Sequence, residues 1–380
     1  MRMLHTSDWH LGRLFFGESL TEEQATLLRE FVAAAKDLRP DVILIAGDVY
    51  DRSVPPADAV ELLDEVLARL VLEAGFPVLM ISGNHDSGKR LAFGNRFFDR
   101  SRLHVCSAVF PGAVRLADAW GPVDFMLLPY ADTETVRLEL DADDLADADA
   151  AIGRRRKAWT PPVGGGNRTV ALAHAFLAGG KPSESERPLS VGGTGAVATG
   201  HFDGFHYTAM GHLHRPQLIA GGRLAYSGSL MKYSFDEAGQ DKGFYFVEMD
   251  GAGNLRQEFL PLRPRRDVRV IAGSFQDLMK GATAGNPDDY LSITLLDEAP
   301  VIQAIQRLRT GYPNTMEISY RYQQEALALS PSQRPDSSSR SALELFETFA
   351  EWSTQKSLTA PQREIMAKLL TDAVGGGGGE

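Results

Sequence analysis

A single cysteine, Cys106, stands in a chain of 380 residues, so no disulfide can close within it. No apolar run approaches the ~20 residues needed to span a bilayer, which excludes a helical membrane protein. Nor does the chain open on a basic segment followed by an apolar stretch and a cleavage site; it opens directly on a strand-like run. These absences lead us to expect a cytoplasmic protein in a reducing compartment, with no membrane association. Basic charge is scarce as well. The 39 Lys and Arg against 50 Asp and Glu leave a net charge of −11, which excludes a wholly basic surface that coats nucleic acid. An enzyme acting on nucleic acid is not excluded, because acidic metal ligands add to the count and bound cations would reverse the potential where a phosphate must sit. Apolar residues are plentiful: 43% hydrophobic and 9% aromatic content can bury a full core, and the length allows two or three domains.

The pattern begins as α/β. Met3 to Ser7, Val42 to Ala46 and Val78 to Ser82 are apolar and β-branched enough for buried strands, and 22–38 and 57–73 carry helical spacing between them, with Pro40 and Gly75 just beyond. After residue 100 shorter strands follow, at Phe125 to Leu128, Val170 to Ala173, Tyr207 to Met210, Leu224 to Tyr226 and Gly243 to Met249. They predict a second, largely antiparallel sheet. Gly, Pro and Ser mark loops near 160–167 and 179–195. Residues 132–149 carry eight acids against Arg137 alone, and Arg154, Arg155, Arg156 and Lys157 follow; both runs read as solvated surface. The predicted division is a first domain over 1–266, a smaller unit over 267–328, a flexible linker over 329–340, and two amphipathic helices within 341–374. A helical pair this short buries little of itself, so it either folds back on its own domain or docks onto a partner, and the partner is the expectation.

The chemistry lies where the strands stop. Five apolar runs finish on residues able to bind a metal ion: Asp8 and His10 in HTSDWHLG, Asp48 in LIAGDVYD, Asn84 and His85 in MISGNHD, His174 in ALAHA, and His212 and His214 in AMGHLH. Strand ends along one sheet edge can bring such ligands together from distant parts of a chain. The spacings Asp8-x-His10 and His212-x-His214 put both members of each pair on one side of extended backbone. Asp48, with two oxygens and a full charge, is the best bridge between two ions. Imidazole beside carboxylate and amide oxygen favours Mn²⁺, Fe²⁺ or Zn²⁺ over Ca²⁺ or Mg²⁺. Two such ions ~3.5–4 Å apart suit phosphoester hydrolysis. His85, next to a ligand, is free to touch the phosphate or to protonate the leaving oxygen. Asp86 is expected to orient a histidine from behind. One such histidine alone would be ordinary; five strand ends in order are not. His5, His104, His201 and His206 lie outside the motifs and read as structural.

The order DxH, GDxxD, GNHD, H, GHxH resembles the calcineurin-like metallophosphoesterases. More narrowly, the runs LHTSDWHLG, GDVYDRSVPPADA, GNHDSGKRLAFGN, SESERPLSVGG, YTAMGHLHRPQ and YSGSLMKYSFDE resemble the SbcD-type nuclease subunits. The likeness covers residues 1 to about 265 and continues through DDYLSITLLDE. It implies a two-sheet metallophosphoesterase sandwich flanked by helices, with a small α+β cap domain and C-terminal helices. It also implies one ion held by Asp8, His10, Asp48 and His214, a second by Asp48, Asn84, His174 and His212, and a catalytic His85. The implied activity is Mn²⁺-dependent cleavage of DNA phosphodiesters, at duplex ends and within single strands or hairpins. The implied assembly is a homodimer with an SbcC-type ATPase, whose coiled coil the final helices would grip. If the ATPase supplies most of the grip on phosphate, the acidic charge is no obstacle, and Arg13, Arg52, Lys89 and Arg90, each just behind a metal motif, are the expected DNA contacts. Two other classes stay open: a phosphatase or small-molecule phosphodiesterase with the same cluster, and a scaffold whose cluster is inert.

Overall fold

The structure is a computed structural model that describes residues 1–98, 101–159, 168–187, 195–281, 285–323, 342–354 and 356–375. It divides into two compact units, Met1–Val268 and Arg269–Glu380. The linker expected over 329–340 lies outside the described residues.

The first unit is built on two six-stranded sheets. In spatial order, one contains Leu255–Pro261, Gly243–Met249, Arg2–Thr6, Val42–Ala46, Val78–Ile81 and Leu103–Cys106. From Arg2–Thr6 to Leu103–Cys106 the four strands are mutually parallel, with Met3 beside Val42, Ile43 beside Val78, and Val78 beside Leu103. Their C-terminal ends therefore share one edge. The connections are helical, as the 3.6-residue spacing demands: Thr21–Leu38 buries Leu27, Leu28 and Phe31, and Ala57–Leu67 runs into a wider π-type turn over Ala68–Glu73. Arg39, in a left-handed conformation before Pro40, ends the first of these helices.

The second sheet contains Gln217–Ile219, Leu224–Tyr226, Tyr207–Gly211, Arg168–His174, Gly121–Leu128 and Gly112–Asp118. It differs from the antiparallel sheet the sequence suggests. Its four central strands are parallel, and only the edge strands run antiparallel. The reason is burial on both faces. Leu172, Val170 and Tyr207 face Leu44, Leu79 and Met3 of the first sheet, while Ala171, Ala173 and Met210 pack outward among Trp159, Phe202 and Phe205. Strands covered on both sides favour the parallel arrangement. Gly243–Met249 is likewise misplaced by the sequence reading, since it pairs antiparallel with Arg2–Thr6 in the first sheet. A large apolar side chain fully buried between the sheets contributes on the order of 2 kcal/mol, so the pile of Phe125, Leu127, Val170 and Tyr207 fixes how the sheets face each other.

The second unit has a three-stranded sheet, Val268–Gly273, Tyr290–Leu295 and Thr315–Tyr320, with the last two parallel. Its core gathers Phe275, Leu278, Leu291, Ile293, Leu308 and Tyr312. Helices follow at Ala342–Thr354 and Ala360–Gly375, with Arg363 paired to Glu347. No helix among the described residues is long and apolar enough to cross a membrane.

An ion pair ties the far end of the sandwich. Arg168 reaches both carboxylate oxygens of Asp118, 2.9 Å from Oδ2 and 2.5 Å from Oδ1, with both side chains about one-twentieth exposed. Burial alone would raise the Asp118 carboxyl, but the Arg168 guanidinium, together with the Met1 amino group that also pairs with it, holds it well below the usual carboxylate range. A depressed folded pKa stabilises above the unfolded value near 4, and that contribution is lost as pH falls through the folded value. Asp118→Asn should therefore cost about 3 kcal/mol at pH 7 and progressively less below about pH 4. Urea unfolding of both proteins across that range measures it, and a pH-independent difference would count against the ion pair.

Candidate metal centre

The edge where the parallel strands stop gathers seven candidate ligands and His85. Asp8, His10, Asp48, His174, His212 and His214 are each no more than 5% exposed. Two glycines show why the strands must end as they do. A Cβ on Gly83 would lie 2.1 Å from Asp48 Oδ1, and one on Gly211 would lie 2.0 Å from the Ala46 carbonyl. Only glycine lets the Asn84 and His212 backbones come that close. Asp8, His10, Asp48 and His212 themselves have φ of 52°, 46°, 48° and 106°. Left-handed backbone is uncommon for such residues and gathers at functional sites, where the surroundings hold it.

Those surroundings are visible. The Asp8 N–H donates to the Gly47 carbonyl and the His10 N–H to the Asp48 carbonyl, both at 3.0 Å. Gln24, buried on the first helix, donates through Nε2 to His10 O at 2.8 Å and accepts the Gly12 N–H at 3.1 Å. Asp86 orients no histidine, contrary to the sequence expectation. Its carboxylate accepts the N–H groups of Val49, Tyr50 and Gly83 at 3.1, 2.9 and 2.9 Å, and so locks the Asp48 loop to the Asn84 loop.

The side chains converge in three overlapping groups, one of them His10, Asp51 and His85. Asp8, His10 and His214 offer ligand atoms within 4.8 Å of one another, and so do Asp8, Asp48 and His174. Asp48 Oδ2 lies between them, 3.6 Å from His10 Nε2 and 3.5 Å from His174 Nε2. Asn84 Oδ1 approaches His174 Nε2 at 2.9 Å and His212 Nδ1 at 3.2 Å. His85 Nδ1 meets the Asp51 carbonyl at 2.7 Å, which leaves Nε2 facing the centre, 4.0 Å from Asp48 Oδ2. All eight predicted residues are thus brought together.

Their electrostatics fit divalent cations. Burial pushes the Asp8 carboxyl up to about 8, with His174 opposing and Asp48 reinforcing. Burial would raise Asp48 too, but His174, through its charge and a hydrogen bond, is the main influence that holds it well below its ordinary range. Burial keeps His10, His212 and His214 neutral, the form that binds metal. His10 Nδ1 is buried without a hydrogen-bond partner, and His10 Nε2 faces His214 Nε2 at 3.0 Å. Buried carboxylates and neutral imidazoles aimed at common points are what a cation satisfies and an apolar core does not. Asp8, His10, Asp48, Asn84, His174, His212 and His214 could hold two ions, with Asp48 in the shared position.

The four basic residues behave differently from one another. Arg13 is drawn into the rim, its guanidinium 3.2 Å from Asp51 Oδ1 and from the Ser185 carbonyl and 4.8 Å above the Tyr233 ring. Arg52, Lys89 and Arg90 are more open to solvent, Arg90 donating to the Ser53 carbonyl at 2.8 Å. In the Arg154–Lys157 run, read as solvated surface, Arg155 is instead buried and donates to the carbonyls of Val109 and Pro129. Sequence reasoning assigned no role to Gln24, Ser185, Glu237 or Lys242. The last three surround His214, and their only signal was membership of the runs SESERPLSVGG and YSFDE or proximity to the latter.

Residues 1–216 match the calcineurin-like phosphoesterase profile, and residues 264–354 match an SbcD C-terminal profile described as the type 5 capsule protein repressor C-terminal domain. Among solved structures, the protein TT1561 of Thermus thermophilus is 13% identical, covers 68% of this chain and 98% of its own, and superposes with a TM-score of 0.38. A dimetal phosphatase from Danio rerio is 13% identical, with coverage of 65% and 92% and a TM-score of 0.37.

Ligand binding to the folded state alone stabilises it, by about 2.7 kcal/mol at a hundred times Kd. Mn²⁺ should raise the melting temperature of the chelator-treated protein, with two ions bound per chain, and Asp48→Asn should abolish most of the rise. Calorimetry with metal analysis tests this, and a melting temperature indifferent to millimolar Mn²⁺ would refute it.

Proposed function

The chain belongs to the calcineurin-like phosphoesterase family, whose members are metal-dependent hydrolases of phosphate esters, and from that premise we propose that it is the nuclease subunit of an SbcD-type complex. It would cut DNA phosphodiesters, with Mn²⁺ as the working ion. The observation that carries the reading is the co-occurrence of a buried Asp and His cluster in the first unit, with Asn84 beside it, and an SbcD-type C-terminal match over residues 264–354.

Two cations held by these ligands would supply positive charge and an acidified water for phosphoester hydrolysis. The remaining work falls to the chain. The Asp51 carbonyl fixes His85 through Nδ1, so Nε2 can hold a proton for the departing oxygen or touch the phosphate. Arg13, anchored by Asp51, lends positive charge to the rim. Arg52, Lys89 and Arg90, open to solvent, are suited to backbone phosphates further along the strand. With a net charge of −11, a tight hold on DNA would come from a partner, an SbcC-type ATPase bound through the Ala342–Thr354 and Ala360–Gly375 helices, and from pairing as a homodimer in the cytoplasm.

With Mn²⁺, the intact chain should digest linear duplex and hairpin DNA. His85→Ala and Asp48→Ala should each lose at least about 10²-fold in rate, the usual share of one proton-transfer group or more. Equal cutting by all three would assign the activity elsewhere. Hydrolysis of a nitrophenyl phosphate monoester with none of DNA would select a phosphatase instead.

A further inference from the structure

The two halves of the centre are backed by different chemistry. On one side, His174 Nδ1 meets the Ala46 carbonyl at 2.9 Å, a neutral acceptor. On the other, His214 Nδ1 meets Ser185 Oγ, whose hydroxyl donates in turn to Glu237 Oε1. Glu237 Oε1 also lies 3.5 Å from His214 Nδ1 directly.

Glu237 is fully buried, and a buried carboxylate needs compensation. It has it. Lys242 Nζ lies 2.8 Å from Oε2, and the Tyr233 N–H donates to the same oxygen at 3.1 Å. Lys242 Nζ also donates to the His214 carbonyl at 2.6 Å, and Glu186 Oε1 accepts the His214 N–H at 2.5 Å. His214 is thus held by its ring, its N–H and its carbonyl at once. The ring arrangement fixes the tautomer: Nδ1 carries the proton and Nε2 presents its lone pair to the site. A carboxylate behind a ligating imidazole raises its basicity more than a peptide carbonyl does, and loss of such a partner typically weakens metal binding about 10- to 100-fold.

We propose that Glu237, acting through Ser185, is the positioning residue for His214, and that it makes the cation position formed by Asp8, His10 and His214 the tighter of two unequal positions. The proposal rests on the two-metal reading above and adds to it an order of occupancy and the residue that sets it.

Mn²⁺ alone is the probe, titrated calorimetrically into the full-length, chelator-treated chain without nucleic acid. The wild type should show two classes of site. Ser185→Ala, and the charge-balanced pair Glu237→Gln with Lys242→Met, which leaves no uncompensated buried lysine, should each weaken the tighter class about 10- to 100-fold and leave the weaker one in place. His174→Ala should remove the weaker class and spare the tighter. Two equal classes in the wild type, or an equal loss at both positions in the Ser185 and Glu237 variants, would overturn the proposal while leaving the two-metal reading intact. No binding by the wild type would overturn both.

Discussion

Everything in the first unit answers to one constraint: Asp8 and Asp48, two carboxylates, are buried within reach of each other among imidazoles that burial keeps largely uncharged. Such an arrangement is unfavourable on its own terms, since charge removed from water is costly unless opposed close by. The fold tolerates it because the cost falls at the edge of two well-packed parallel sheets. Asp48 has its opposing charge in His174, whose imidazole the same interaction pushes up to about 9. A divalent cation opposes more charge in the same space than one shared proton can. The backbone pays locally as well, in left-handed φ at four of the ligands, and Gln24 and Asp86 hold those loops in place.

Much of this was legible in the amino-acid order. The candidate ligands stand out because each follows an apolar run that can only be a buried strand, and a glycine precedes Asp48, Asn84 and His212 where the neighbouring chain leaves no room for a Cβ. The pairing of sheets was not legible. An apolar run such as VALAH fits an antiparallel core strand or a parallel one equally well, and only the cover on both faces decides between them. Nor does the order of residues place Gly243–Met249 in the first sheet, because its partner, Arg2–Thr6, lies more than 200 residues earlier in the chain.

The supporting residues were hidden for a different reason. Gln24 sits on a helix whose spacing identifies it only as a core-facing position, and nothing local distinguishes a glutamine that clamps a loop from one that is merely tolerated. Arg155 made the converse error easy: a run of four basic residues looks solvated, yet one of them turns inward to satisfy two carbonyls. Asp86 shows the limit of motif logic. Adjacent to two functional residues, it serves the main chain rather than an imidazole.

Because every ligand hangs from the last residue of a strand or the first few residues past one, spatial order within the sheets, not chain length between them, decides which ligands meet. Among the described residues between Leu128 and Arg168 and between His174 and Tyr207, those that cover the second sheet, such as Trp159, Phe202 and Phe205, and those beside His214, Ser185 and Glu186, are tied to the cluster, while the exposed positions among them can change without shifting it. What the centre acts upon can therefore diverge far faster than the centre itself.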